Sequence, residues 1–354
     1  GTADNVTIVG NGHDSDPTQQ GSLKITVSSS GYQYSFDNEG PNTNSVDDGP
    51  YSTDDSLTPD FYDYARWPMF GYNTDRTGST IAEGLESYAL IWSCDLGADV
   101  SSSPAASAAN DVYIGSENNF IYCLTSVGAI RWSYRTAGAV VSSAAIASST
   151  VFIGSDDNRI YALSSQSGSL VWTYVTGGNV SSSPAFTASD EEIYVGSDDN
   201  KVYALNAAGG LLWTYQAGDD VESSPAVSVN TLYVGSNDNY VRGLWRDGSL
   251  HWSYRTAGDV YASPALGATN TVYVGSKDNR FYAVDCVGEL QWSYRLGDSI
   301  LSSAAVDDIY VGSNDNNVYA LDYDGALLWS YATAGNVSSS PAVDSSERVF
   351  VGSE

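Results

Sequence analysis

Short runs of alternating apolar and polar residues, separated by turn-forming residues, fill most of the chain. A typical stretch has four such runs, at residues 180–186, 192–196, 201–205 and 211–215. The breaks hold Asp, Asn and Gly, which tolerate the positive φ angles of tight hairpins. No segment shows the apolar period of 3.6 residues that marks a helix. The pattern therefore predicts short antiparallel β-strands joined by hairpins.

This four-run unit repeats along the chain. Tryptophan recurs with spacings of 37 to 41 residues, and a Gly-Ser pair keeps the same period. The tryptophans are Trp92, Trp132, Trp172, Trp213, Trp252, Trp292 and Trp329. If the four strands of each period form a sheet and the seven sheets are arranged radially, only short and protected sheet edges remain. We therefore predict an all-β fold: a seven-bladed β-propeller of four-stranded antiparallel blades, with a short N-terminal β extension.

The repeat unit resembles that of a known family. The motif SSPA, YVGS, DN, YAL and LLW-x-Y, as it stands in residues 182–215, is similar to the PQQ-type (pyrroloquinoline-quinone enzyme) β-propeller repeat. The run WPMFG at 67–71 looks like the lead-in to a first repeat. The resemblance covers residues 66–354 and implies the fold. Its function is left open, because such repeats occur in quinoprotein dehydrogenases, in the assembly lipoprotein BamB and in many secreted proteins.

The last blade is incomplete in this sequence. Strand C of the repeat occurs six times, and the strand at Trp92 belongs with the last blade by the ring closure of the family. Either the sequence is truncated or another segment supplies the strand. Residues 1–36 form the N-terminal β extension, in which 22–27 and 31–36 read as a hairpin, and residues 37–65 form an acidic linker. The extension could complete the blade in its own chain or in a neighbour.

The charge of the chain restricts its partners. It has 43 Asp and Glu against 14 Lys and Arg, a net charge of −29, which disfavours nucleic acid and anionic membranes. No apolar run could cross a membrane. We expect an extracellular or cell-surface protein whose signal peptide has been removed. The sequons at Asn5, Asn179 and Asn336 could then carry glycans.

Candidate metal ligands and contact residues are few. Asp14 and Asp16 resemble part of a calcium loop, whereas the Asp-Asn pairs of the repeat are explained by hairpin geometry. The repeated tryptophans are expected to pack between blades. Trp245 stands outside the repeat and is either a contact residue or a packed loop residue.

Catalysis finds little support in the sequence. The two histidines are His13 and His251, and neither belongs to a recognisable catalytic set. The resemblance would require an adjacent Cys-Cys pair for quinone chemistry, and Cys94, Cys123 and Cys286 are far apart. We therefore predict no catalytic residues and no cofactor, with PQQ disfavoured and Ca²⁺ open.

The expected function is that of a non-enzymatic structural or interaction propeller. The open last blade suggests a self-assembling filament joined by strand complementation. The alternatives are a BamB-like envelope scaffold and a ligand-binding propeller. The predicted interaction residues are Ile25, Val27, Tyr32, Tyr34, Phe36, Trp245, Val349 and Val351.

Overall fold

All regular structure in the described part of the chain is β. The computed structural model describes residues 69–73, 76–77, 91–187, 191–267, 270–306, 308–344 and 346–354, and the backbone of strands at 4–9 and 22–27. Those two N-terminal strands, β1 (Asp4–Val9) and β2 (Ser22–Val27), form an antiparallel hairpin. The strand expected at 22–27 is confirmed, but its described partner is β1. Residues 31–36, the expected partner, lie outside the described residues.

Six sheets follow one another along the chain, and each has four antiparallel strands, A to D, in sequential order. Blade one comprises β3 (Ala105–Ala106), β4 (Val112–Ser116), β5 (Phe120–Leu124) and β6 (Ile130–Arg135). Blade two comprises β7 (Ala145–Ala147), β8 (Thr150–Ser155), β9 (Arg159–Ser164) and β10 (Leu170–Val175). Blade three comprises β11 (Ala185–Thr187), β12 (Glu192–Ser197), β13 (Lys201–Asn206) and β14 (Leu211–Gln216). Blade four comprises β15 (Ala226–Val227), β16 (Thr231–Ser236), β17 (Tyr240–Trp245) and β18 (Leu250–Arg255). Blade five comprises β19 (Ala265–Leu266), β20 (Val272–Gly275), β21 (Arg280–Val284) and β22 (Leu290–Arg295). Blade six comprises β23 (Ala305–Val306), β24 (Ile309–Ser313), β25 (Asn317–Leu321) and β26 (Leu327–Ala332). A two-stranded sheet, β27 (Ala342–Val343) and β28 (Val349–Phe350), begins blade seven.

A belt of serine hydrogen bonds joins the innermost strands of all seven blades. The backbone N–H of a serine in each blade donates to the hydroxyl of the equivalent serine in the next, at 2.8 to 3.0 Å. The series runs through Ser103, Ser143, Ser183, Ser224, Ser263, Ser303 and Ser340. Seven repeats linked in succession through their inner strands are the arrangement of a propeller, and the predicted fold is confirmed.

The repeated tryptophans lock neighbouring blades together. Each indole Nε1 of blades one to five donates to a carbonyl in the C–D turn of the next blade at 2.7 to 2.9 Å. The indole also lies under a glycine of that turn. At Gly168, for example, an added Cβ would come within 2.6 Å of the ring of Trp132, and φ is +67°. The hydrophobic core accordingly lies between blades, as the interpretation of the tryptophans required.

The seam at blade seven differs from the other six. The segment 91–96 packs against blade one, where the ring of Trp92 lies under Gly128. Among the described residues no strand is hydrogen-bonded to the free edge of β28, although Cα atoms of β1 approach those of β28 within 8 Å. Blade seven therefore has described strands A and B and the segment 91–96, without a described strand C.

Residues 69–73, 76 and 77, which we call the plug, pack against the inner strands of the propeller. Met69 is fully buried among residues of blades two and three, and the Thr77 carbonyl accepts the N–H of Val306 in blade six at 2.7 Å. Arg76 is 1% exposed, and its guanidinium donates to the carbonyls of Ser183 and Pro225 at 3.0 and 2.8 Å. These contacts tie the plug to the inner strands of four blades, two, three, four and six.

Candidate functional site

The face that holds the B–C turns carries a ring of polar groups. There the first residue of every B–C turn donates its N–H to a carbonyl of the adjoining D–A loop, at 2.9 to 3.0 Å. Seven side chains thus leave the backbone from equivalent points around the opening. We call Glu117, Asp156, Asp198, Asn237, Lys277, Asn314 and Glu354 the mouth ring. The D–A loops and B–C turns therefore share one face of the propeller.

The second residue of the turn has a structural role. Asp157 accepts the hydroxyl of Tyr161 at 2.6 Å and the N–H of Ala137, from the preceding blade, at 2.8 Å. Asp278 repeats both contacts with Tyr282 and Ala257. These bonds tie each turn to its neighbour, which supports the hairpin interpretation of the Asp-Asn pairs. No group of three or more His, Cys, Asp or Glu suited to a metal occurs within the described ranges.

Charge is distributed unevenly around the mouth ring. Its carboxylates occupy four adjacent blades, seven, one, two and three, while blades four to six contribute Asn, Lys and Asn. Glu222 and Tyr261, which precede the inner strands of blades four and five, each contact a member of the ring. Asn237 donates to Glu222, and Lys277 Nζ lies 5.5 Å from the centroid of the Tyr261 ring. We call the mouth ring together with Glu222 and Tyr261 the funnel.

Like charges and burial shape the protonation of the funnel. Burial raises the pKa of Asp198 from its ordinary 3.8 to about 7, and the charges of Glu222, Asp220 and Asp156 add to the rise. Burial also raises the pKa of Tyr261, again with contributions from Glu222 and Asp198. The pKa of Asp156 is raised by burial as well. Side chains of blades two to five therefore share one electrostatic environment.

Several oxygens of the funnel lack a hydrogen-bond donor. Oδ1 of Asp198, of Asn237 and of Asn314 is buried and has no partner among the described residues. Other funnel groups are paired, because Asn237 Nδ2 donates to Glu222 at 2.7 Å and Lys277 Nζ lies 3.1 Å from Asp259. Buried acceptors without donors are costly, so this arrangement favours a ligand rich in N–H groups.

The raised pKa of Asp198 predicts a pH effect on stability. The folded protein holds a proton on Asp198 that the unfolded chain has already released between about pH 4 and pH 7, so stability falls as pH rises through this interval. Asn mimics the protonated carboxyl. We expect Asp198→Asn to raise Tm by a few degrees at pH 8, by less at pH 5, and to leave it unchanged near pH 4.

Thermal unfolding at a series of pH values checks this expectation. Asp324→Asn, an exposed position in the C–D turn of blade six, is the matched control and should change neither curve. Parallel curves for wild type and Asp198→Asn would show that Asp198 ionises normally.

The residues proposed from sequence lie apart from the funnel. Trp245 is 39% exposed at the end of β17, and its ring stacks on His251 with centroids 3.8 Å apart. Val349 is buried and Val351 half-buried at the edge of blade seven. Ile25 and Val27 belong to β2, whose backbone alone is described, and Asp14, Asp16, Tyr32, Tyr34 and Phe36 lie outside the described residues.

The sequons occupy different settings. Asn179 is exposed in a D–A loop, Asn336 is half-buried in another, and Asn5 belongs to β1. Sequence reasoning predicted neither the mouth ring as a site nor Arg76, Glu222 and Tyr261 as site residues. The last two could have been found, since each replaces a Ser, Val or Leu of the other blades just before the inner strand.

Comparison with known proteins agrees with the fold. The family model described as "Beta-alanine-activating enzyme, beta-propeller" matches residues 77–307. No curated protein sequence matches. Among solved structures, BamB from Moraxella catarrhalis superposes with a TM-score of 0.64 at 19% identity, over 78% of this chain and 97% of that one. In all, 1523 solved chains match, so such likeness identifies an architecture rather than a function. No membrane-spanning helix occurs in the described part of the chain.

Proposed function

Because the chain belongs to the beta-propeller family of the beta-alanine-activating enzyme, we propose that it is a non-enzymatic interaction propeller whose funnel binds a basic segment of a partner protein. The observation that carries the proposal is the set of unpartnered acceptor oxygens on Asp198, Asn237 and Asn314 among like charges. A lysine or arginine side chain supplies the N–H donors that these oxygens lack.

The position of the plug supports the same partner. The plug contacts the inner strands of blades two, three, four and six, and we propose that it closes the other face, so that a ligand enters the funnel from one side only. A protruding basic loop or terminus fits such a blind opening better than a threaded chain does. Long-range attraction by the net charge of −29 would speed its approach at low salt.

Calorimetric titration with a tetralysine peptide tests this function. We expect binding that the double variant Asp198→Asn, Glu222→Gln weakens about tenfold, since charge-assisted contacts are lost. The matched control Glu289→Gln, Asp324→Asn removes the same charge from exposed positions on the other face and should bind normally. Equal weakening in both variants would show that the peptide binds by non-specific electrostatic attraction and not at the funnel.

We also propose that the propeller does not catalyse a reaction. The described funnel offers carboxylates, amides, one ammonium and one phenol, whereas His251 lies at blade four against Trp245. We propose that no quinone is bound. Calcium at Asp14 and Asp16, glycans at Asn5, Asn179 and Asn336, and an extracellular or envelope location stay predictions.

Self-assembly is the alternative to completion of blade seven within one chain. A strand donated from one copy to blade seven of the next would join subunits into a filament. Its support is the free edge of β28 among the described residues. Electron microscopy of the native protein would show filaments if the exchange occurs, and single particles if it does not.

A further inference from the structure

Among the described residues, none fills the packing position that blade six presents toward blade seven. The outer strand of blade six, β26, carries Trp329 and Tyr331 at the places where other blades bind their neighbour. Trp329 Nε1 has no partner among the described residues, and Tyr331 is 38% exposed. Together with the free edge of β28, these side chains border the place of strand C in blade seven, which we call the slot.

The other blades define what fills such a slot. A tyrosine of strand C packs on the tyrosine of the preceding strand D, with ring centroids 5.6 to 6.5 Å apart in four cases. The tyrosine is present in five of the six blades, and blade four has Arg242 in its place. Six residues after this position, in five of six blades, a glycine with positive φ covers the tryptophan of the preceding blade. An occupant therefore needs a tyrosine, a small residue, an apolar residue and a glycine at fixed spacing.

We propose that residues 32–40 of this same chain occupy the slot as strand C of blade seven. The segment YQYSFDNEG aligns without gaps to NVYALDYDG, residues 317–325 of blade six. Tyr34, Ser35 and Phe36 then match the tyrosine, alanine and leucine of β25. Asp37 and Gly40 match Asp322 and Gly325, and Asp322 Oδ1 accepts two backbone N–H groups of its turn.

The residues ahead of the segment fit the same register. Gly31 falls where the other blades have an Asn with positive φ, such as Asn316 at +67°. Gln33 departs from the pattern, because the six equivalent positions are apolar and at most 3% exposed. This departure makes the proposal testable by a gain of stability as well as by a loss.

Donation within one chain is compatible with the chain path. β1 already lies beside β28, and β2 ends five residues before Tyr32. Residues 41–68 connect Gly40 to Met69 in the plug and, when extended, reach about 90 Å. β1 itself lacks the required tyrosine, since its sequence is DNVTIV.

Amide hydrogen exchange at residues 342–350, measured on the full-length chain, tests the proposal. We expect Tyr34→Ala to accelerate exchange about tenfold, because a buried ring contact is lost. Gln33→Val should slow exchange, since an apolar side chain would replace an amide in the core. The matched controls Tyr51→Ala and Gln20→Val, in the same N-terminal region, should leave exchange unchanged.

Three results would overturn the proposal. One is exchange that responds to the controls as strongly as to Tyr34→Ala and Gln33→Val. Another is exchange that ignores position 34 but accelerates in Ile8→Ala, which would make β1 the occupant. The third is protection that grows with protein concentration together with mass by light scattering, which would show donation by a second copy.

Discussion

Arg76→Met is expected to destabilise the propeller by about 3 kcal/mol or more. The guanidinium donates to carbonyls of Phe70, Ser183, Pro184 and Pro225, and so binds the plug to the inner strands of blades three and four. Its removal leaves buried carbonyls without donors. Burial lowers the pKa of Arg76 to about 9, so the side chain remains charged at neutral pH. Arg76→Met therefore removes charged hydrogen bonds from a buried site, which is costly.

Urea unfolding measures this effect. Arg295→Met, at an exposed position at the end of β22, is the control and should change the free energy of unfolding by less than about 0.5 kcal/mol. If both variants unfold at the same urea concentration as wild type, the plug does not hold the ring.

The second large effect is expected at Gly196. A Cβ placed there would lie 2.1 Å from the carbonyl oxygen of Val221 in the next blade. Because the obstacle is backbone, Gly196→Ala must push two blades apart. We expect a loss of about 3 kcal/mol or more in the free energy of unfolding, or failure to fold.

Blade seven supplies a matched control at the same position of the repeat. Around Gly352 the nearest atom to an added Cβ is Ser339 Oγ at 3.3 Å, so Gly352→Ala should cost less than about 1 kcal/mol. Thermal unfolding measures both variants. An equal loss of unfolding free energy at both positions would mean that each strand needs the glycine for its own backbone geometry and that close packing of the next blade is not the reason.

Most of the fold could be predicted because the repeat makes the same contacts between successive blades. The period of the tryptophans predicted the inter-blade lock, and hairpin residues predicted the turns that Asp157 and its equivalents stabilise. Periodicity averages over blades and so emphasises what they share. It therefore indicated architecture reliably and function poorly.

Features that occur once were harder to predict. Arg76 has no counterpart in the repeat, and an arginine in sequence reads as a surface residue until its carbonyl partners in two blades are known. The funnel depends on which blades stand side by side around the mouth, so the raised pKa of Asp198 follows from the ring and not from its own turn. The pairing of β2 with β1 required long-range contacts that local alternation cannot specify.

Zero-length carbodiimide cross-linking of a tetralysine peptide, read out by mass spectrometry, tests the central claim that the funnel is the binding site. We expect amide bonds between lysine side chains of the peptide and Asp156, Asp198 and Glu222. Cross-links concentrated instead on exposed carboxylates such as Glu289 and Asp324 would contradict this claim.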